Sequence, residues 1–201
     1  MLFILSVVMA YLIGSISSST LVGKWFAHID IRDHGSGNAG ATNTLRVLGL
    51  KWALVVLTVD ILKGMAAVFI AWWLGNGNPW FAYLTGLAAI IGHNWPIYFG
   101  FRGGKGIATT IGVLALLMFI PAIIAGVIAI LLVLLTRYVS LGALVFTILT
   151  PVFVIILEKN PNAGIFAAIV ALFSIYRHRT NIVRLVRGKE HRIFSRNSHS
   201  S

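Results

Sequence analysis

Three short polar segments contain most of the side chains in this sequence that could do chemistry, and each is rich in groups that hold phosphate. Residues 34–49 read HGSGNAGATNTLRVLG. Glycines and small polar residues ahead of a helix-like run expose backbone N–H groups in concave turns and at a helix N-terminus, where partial positive charge attracts anions. Gly37, Asn38 and Gly40 belong to this nest, and Ser36, Thr42 and Asn43 add side-chain donors. Arg46 adds a full charge on a fork that can grip a phosphate with two hydrogen bonds. The same residue types also build ordinary turns and helix caps.

Residues 92–109 read GHNWPIYFGFRGGKGIAT, with His93 at their head. The lysine flanked by Gly103, Gly104 and Gly106 is not a P-loop, because the G-x-x-x-x-G-K-[ST] spacing is absent and a glycine follows Lys105. The physical device is shared all the same. Glycines let the backbone approach a phosphate closely and Lys105 supplies a point charge; His93 and Thr109 are expected beside them in the phosphate site, and Thr109 is also placed to cap the next helix. Residues 176–191 read YRHRTNIVRLVRGKEH. His178 and Asn181 are three apart and share one helical face, with Arg177 and Arg184 on a neighbouring face.

Two more ionisable residues, Asp60 and Lys63, stand three apart inside an apolar run. Charges at such depth are costly and often functional; a neutralised pair closing a helix bundle is the alternative, and both readings stand. Gly14, Ser15 and Ser17 to Ser19 suit close helix packing.

The elements that must position these groups are lipid-embedded. Of the 201 residues, 58% are hydrophobic and 10% charged, with a mean hydropathy of +0.92, whereas a soluble domain carries about 25% charged residues. A membrane span needs roughly 20 apolar residues, fewer where the bilayer thins. The apolar runs predict an all-α integral membrane protein, one domain over 1–201, with about seven transmembrane helices near 2–26, 52–74, 80–92, 107–120, 121–136, 140–157 and 163–176. Several are short. The first run lacks a basic start and meets its first charge at Lys24, so it reads as a retained span and not a secretion signal. Cysteine is absent, which excludes disulfides, thiolate metal sites and a cysteine nucleophile.

Charge sets the orientation. With seven spans, fourteen of the sixteen Lys and Arg residues fall on one side, Lys159 alone on the other, and Lys63 within a span. The positive-inside rule makes the crowded side cytoplasmic, with the N-terminus outside and the C-terminus in the cytoplasm. The same sorting favours two helices across 107–136 over one kinked span, and Pro121 suits a helix start. All three polar segments then face the cytoplasm. The turns GNGNP at 75–79 and EKNPN at 158–162 face the other way and hold nothing that looks like a site. A transporter is expected to gather polar groups near the midplane instead.

Taken together, SGNAGATN from Ser36 with Arg46, then GHN from Gly92 with Pro96 and FRGGKGIAT from Phe101, then His178, NIVRL from Asn181, Gly188 and Glu190 resemble the three motifs of the bacterial acyl-phosphate:glycerol-3-phosphate acyltransferases. The resemblance implies a seven-span enzyme of the inner membrane that moves a fatty acyl group from acyl phosphate to the 1-hydroxyl of glycerol 3-phosphate. The products would be lysophosphatidic acid and inorganic phosphate, in the first step of phospholipid synthesis. It implies that Ser36 and Arg46 are needed for activity, that Gly103 to Gly106 bind glycerol 3-phosphate, that His178 and Asn181 support activity, and that Glu190 is structural. No cofactor, metal, nucleic acid or obligate protein partner is expected. Both substrates carry phosphate, which explains several anion-binding segments in one membrane protein. An acyl phosphate is already activated, so direct transfer needs only positioning and charge neutralisation. A covalent route through Ser36 is the alternative. A phosphate-ester transporter and a lipid-binding scaffold are the competing classes.

Overall fold

The structure is a computed structural model that describes residues 1–75 and 77–193. Arg196, counted above among the cytoplasmic cations, and the serines near it lie outside the described residues. Every regular element among the described residues is helical: α1 (Leu2–Gly14), α2 (Ser18–Ala27), α3 (Ala41–Leu48), α4 (Leu50–Leu74), α5 (Pro79–Asn94), α6 (Ile107–Leu117), α7 (Phe119–Thr136), α8 (Val139–Phe153), α9 (Pro161–Arg177) and α10 (Arg179–Val186), with single tighter turns at Ile31–Asp33 and Ile97–Phe99. Among the described residues, four stretches are long and apolar enough to cross a membrane: Leu2–Ala27, Leu50–Leu74, Phe119–Thr136 and Val139–Glu158. Ile107–Leu117 and Pro161–Arg177 are shorter apolar helices. The 107–136 stretch breaks at Met118, and Pro121 sits in the first turn of α7, where its missing N–H costs nothing.

The chain forms two compact units, residues 1–119 and 120–201. In the first, small residues let helix backbones touch. A Cβ added at Gly14 would strike the Ala89 carbonyl, and one at Gly92 the Tyr11 carbonyl, so α1 and α5 meet with nothing between them. Gly64 faces the Thr109 carbonyl and Gly112 the Ile61 carbonyl, which joins α4 to α6 in the same way. The first apolar run is not one helix. It opens over Ser15 to Ser17, between α1 and α2, and an opened turn inside an apolar bundle leaves carbonyls that must find donors. Lys63 Nζ, from α4, donates to the Ile16 carbonyl at 2.8 Å.

In the second unit, α7 and α8 are joined through Arg137, which takes a left-handed φ of 63°. Beyond Pro151 the helix continues as a wider turn over Val154–Glu158. Asn160 then caps α9 by accepting from Ala163 N at 3.2 Å, with Pro161 in the first turn. The end of the described chain returns to the α7–α8 connection: Ile193 N donates to the Arg137 carbonyl at 2.8 Å, and the Arg192 guanidinium lies over the Tyr138 ring.

Candidate active site

In the first unit, the segment after α2 is organised around Asn43. Its Oδ1 accepts from Ser36 N at 2.8 Å and from Ser36 Oγ at 3.1 Å, while its Nδ2 donates to the carbonyls of Ile31 (2.9 Å) and His34 (3.0 Å). Asn43 is 1% exposed. Its amide is used inside the protein, so it shapes the loop; a donor facing solvent has to come from elsewhere. Ser36 and Gly37 lie exposed on the rim of that loop, Asn38 is half-buried, and Gly40 caps α3 in an extended conformation. Thr42 and Arg46 sit on α3, with Arg46 exposed.

The glycine–lysine segment is fastened to this loop by groups the sequence did not single out. Arg32 holds both oxygens of Asp30, with Nε at 2.9 Å and Nη2 at 2.7 Å, and its Nη1 donates to the carbonyls of Phe99 (2.7 Å) and Arg102 (3.4 Å). The Arg32 hydrogen bond holds the Asp30 carboxyl down to about 2, against the opposing effect of partial burial. Tyr11 Oη donates to the Trp95 carbonyl at 2.9 Å. Gly103 and Gly104 run tightly over the end of α5: Gly104 N donates to the His93 carbonyl at 3.1 Å. A side chain at Gly104 would collide with both His93 Nε2 and the Ala39 carbonyl, so no larger residue fits there. Gly106 caps α6 with φ +79°, a conformation that favours glycine.

His93 leads inward from this surface to the ionisable pair on α4. Lys63 Nζ lies 2.8 Å from Asp60 Oδ1 and 2.9 Å from His93 Nδ1, and Ser18 Oγ donates to Asp60 Oδ1 at 2.8 Å. All four side chains are buried.

In the second unit, His178 is the joint between α9 and α10. It is buried, and its Nδ1 meets the Ser174 carbonyl at 2.8 Å. A carbonyl can only accept, so Nδ1 carries a proton toward it. Asn181 Nδ2 donates to Glu190 Oε1 at 2.8 Å, and Arg184 Nε to Glu190 Oε2 at 3.0 Å. Burial pushes the Glu190 carboxyl up, but the hydrogen bonds from Arg184 and Asn181 prevail and hold it below the usual range. Glu190 thereby ties the segment after α10 back onto that helix.

The sequence profile of the glycerol-3-phosphate acyltransferases matches residues 4–188. The chain belongs to the glycerol-3-phosphate acyltransferase family. Acyltransferases of that name from Shouchella clausii (52% identical) and Halalkalibacterium halodurans (55%) are matched over 94% of this chain and 95% and 94% of their own. The crystal structures of PlsY, an integral membrane glycerol 3-phosphate acyltransferase, in its glycerol 3-phosphate and lysophosphatidic acid forms superpose with TM-scores of 0.89 and 0.86, at 38% and 37% identity, each over 95% of both chains. This chain is therefore an integral membrane acyltransferase of phospholipid synthesis.

Within this acyltransferase the first unit brings Ser36, Arg46, His93 and the Gly103–Gly106 turn onto connected backbone, and the second unit groups His178, Asn181 and Glu190. Two sequence expectations need correction. Thr109 does not cap α6; Gly106 does, and the buried Thr109 hydroxyl has no hydrogen-bond partner among the described residues. The helix expected to end at 92 runs on to Asn94, while Ile107 begins α6 where expected. The roles of Asp30 and Arg32 are not legible in the sequence, because nothing in the spacing of a single arginine announces which distant carbonyls it will meet.

Proposed function

We infer that this acyltransferase uses a fatty acyl phosphate as donor and the 1-hydroxyl of glycerol 3-phosphate as acceptor, and releases lysophosphatidic acid and inorganic phosphate. The hydroxyl oxygen attacks the acyl carbonyl carbon, the bond from that carbon to the phosphate oxygen breaks, and phosphate leaves with the electron pair. The hydroxyl proton passes to a substrate phosphate oxygen, or His178 helps to take it. Arg46 and Lys105 neutralise the phosphates, with backbone N–H groups around Gly37, Asn38, Gly40, Thr42 and Gly103 to Gly106 completing the cradle. Asn43 and Glu190 hold the two polar clusters in shape, and Asn181 orients the second. The whole chain acts as one membrane domain of about seven spans in the cytoplasmic membrane, N-terminus outside, with its polar segments toward the cytoplasm.

The observation that supports this reading is that Arg32, just ahead of the Ser36 loop, donates to the Phe99 and Arg102 carbonyls that lead into the glycine–lysine turn. Purified protein given acyl phosphate and labelled glycerol 3-phosphate is expected to form lysophosphatidic acid and phosphate in equal amounts; turnover with an acyl thioester alone would overturn the donor. Direct transfer predicts no acyl adduct on Ser36 when glycerol 3-phosphate is omitted, as mass spectrometry of the denatured protein can show. A stoichiometric adduct that glycerol 3-phosphate discharges would replace this mechanism with a covalent one. The orientation is tested with Gly37→Cys, since the natural chain has no cysteine. Labelling by an impermeant reagent in intact cells would reverse it.

A further inference from the structure

The buried pair on α4 reaches further than closing a bundle. An ammonium has three protons, and Lys63 Nζ has three acceptors at hydrogen-bond distance: Asp60 Oδ1 at 2.8 Å, the Ile16 carbonyl at 2.8 Å and His93 Nδ1 at 2.9 Å. Two of these belong to structural needs, a counter-charge and an opened helix turn. The third does not. A donor at 2.9 Å requires His93 Nδ1 to hold its lone pair, because two N–H groups pointed at one another would repel. The ring proton is then on Nε2. That edge of the ring and the Ala39 carbonyl both crowd the space beside Gly104, where the glycine–lysine turn meets the Ser36 loop. The alternative, a charged His93 donating from Nδ1 to Asp60, has only a 3.6 Å approach and sets imidazolium against ammonium.

We propose that Asp60, Lys63 and His93 form a buried positioning relay, in which Lys63 fixes the Nε2–H tautomer of His93 and His93 keeps the glycine–lysine turn in register with the Ser36 loop. Asp60 keeps Lys63 charged and aimed, held in turn by Ser18. None of the three needs to touch a reacting atom. Groups that orient a site's contacts commonly change its performance by about 10- to 100-fold when removed, and a shift of about 1 Å in a positioned group is enough for an effect of that size.

This proposal rests on the acyl-transfer reading only for its kinetic arm, so a spectroscopic arm is run beside it. Nitrogen-15 NMR of histidine-labelled protein, with His93→Gln used to identify the His93 signals, is expected to show a non-protonated Nδ1 and a protonated Nε2. A protonated Nδ1 would overturn the relay whatever the substrate proves to be. For the kinetic arm, the double variant Asp60→Asn/Lys63→Met removes both charges together and leaves no lone buried ion. It is expected to keep a cooperative thermal transition while its apparent KM for glycerol 3-phosphate rises about 10- to 100-fold, with a smaller change in kcat. A folded double variant with KM within about twofold of the parent would reduce the pair to a structural brace. His93→Gln can present an N–H near the Nε2 position and is expected to outperform His93→Asn, whose amide reaches only the Nδ1 position; the reverse order would also refute the relay. Should the double variant fail to fold, the tautomer measurement and the two His93 variants decide the matter.

Discussion

Two segments of the first unit are almost alike in composition and opposite in construction. Residues 75–79 read GNGNP and residues 35–40 read GSGNAG. Among the described residues of the former, the hydrogen bonds are local: Asn78 accepts from Trp80 N at 3.0 Å and Pro79 starts α5. In the latter, shape comes from residues further along and far away in the chain. Asn43 holds Ser36 and the carbonyls of Ile31 and His34, and Arg32 reaches carbonyls 67 and 70 residues on. A turn that satisfies itself locally can be replaced by any other turn. One held by distant groups keeps its backbone N–H groups in one place, as an anion site requires.

The most damaging test of this contrast is Asn43→Ala. It removes one of two donors from each of the Ile31 and His34 carbonyls, at about 0.5–1.5 kcal/mol per hydrogen bond, and frees the Ser36 rim. Activity is expected to fall about 100-fold or more, together with a lowered thermal midpoint. Arg46→Ala and Lys105→Ala come next. Each removes a charge-assisted contact to phosphate worth about 1.5–3 kcal/mol, or roughly 10- to 150-fold in kcat/KM at subsaturating substrate, with the melting curve little changed. Near-normal turnover in either variant would remove that residue from the phosphate sites.

Acid offers a milder way to separate the two units' clusters. The Asp30 carboxyl is depressed from 3.8 to about 2, so its pairing with Arg32 stabilises the fold fully above pH 3.8 and is lost as pH falls from there toward 2. Glu190 is also depressed from its ordinary 4.5, so its contribution is present above that pH and fades as acid reaches its folded value. Thermal midpoints measured in detergent down through pH 5 to 2 should decline, and Glu190→Gln and Asp30→Asn should each flatten their own part of that decline while lowering the midpoint at neutral pH. At the small end, Asn78→Ala removes an exposed local cap. It is expected to cost about 0.5–1 kcal/mol and to leave turnover unchanged. A loss of activity comparable to that of Asn43→Ala would erase the distinction drawn between the two turns.

The helical membrane class follows from composition and run length, because in lipid a polar backbone has few ways to satisfy itself and an apolar run of sufficient length must become helix. The three polar segments, and the family they mark, were equally legible, since glycine, small donors and fixed cations have few other uses in so apolar a chain. Individual roles were not. Thr109 and Asn43 are small polar residues like Ser36, yet one is buried within α6 and the other serves as the loop's inner post. The opening of the first apolar run over Ser15 to Ser17, and the convergence of Lys63 on that opening and on His93, depend on partners 47 and 30 residues away. Local sequence dictates which groups need hydrogen bonds. Which groups supply them across the bundle is decided only when the helices pack, because that choice depends on close approaches that small residues permit and that no linear spacing encodes.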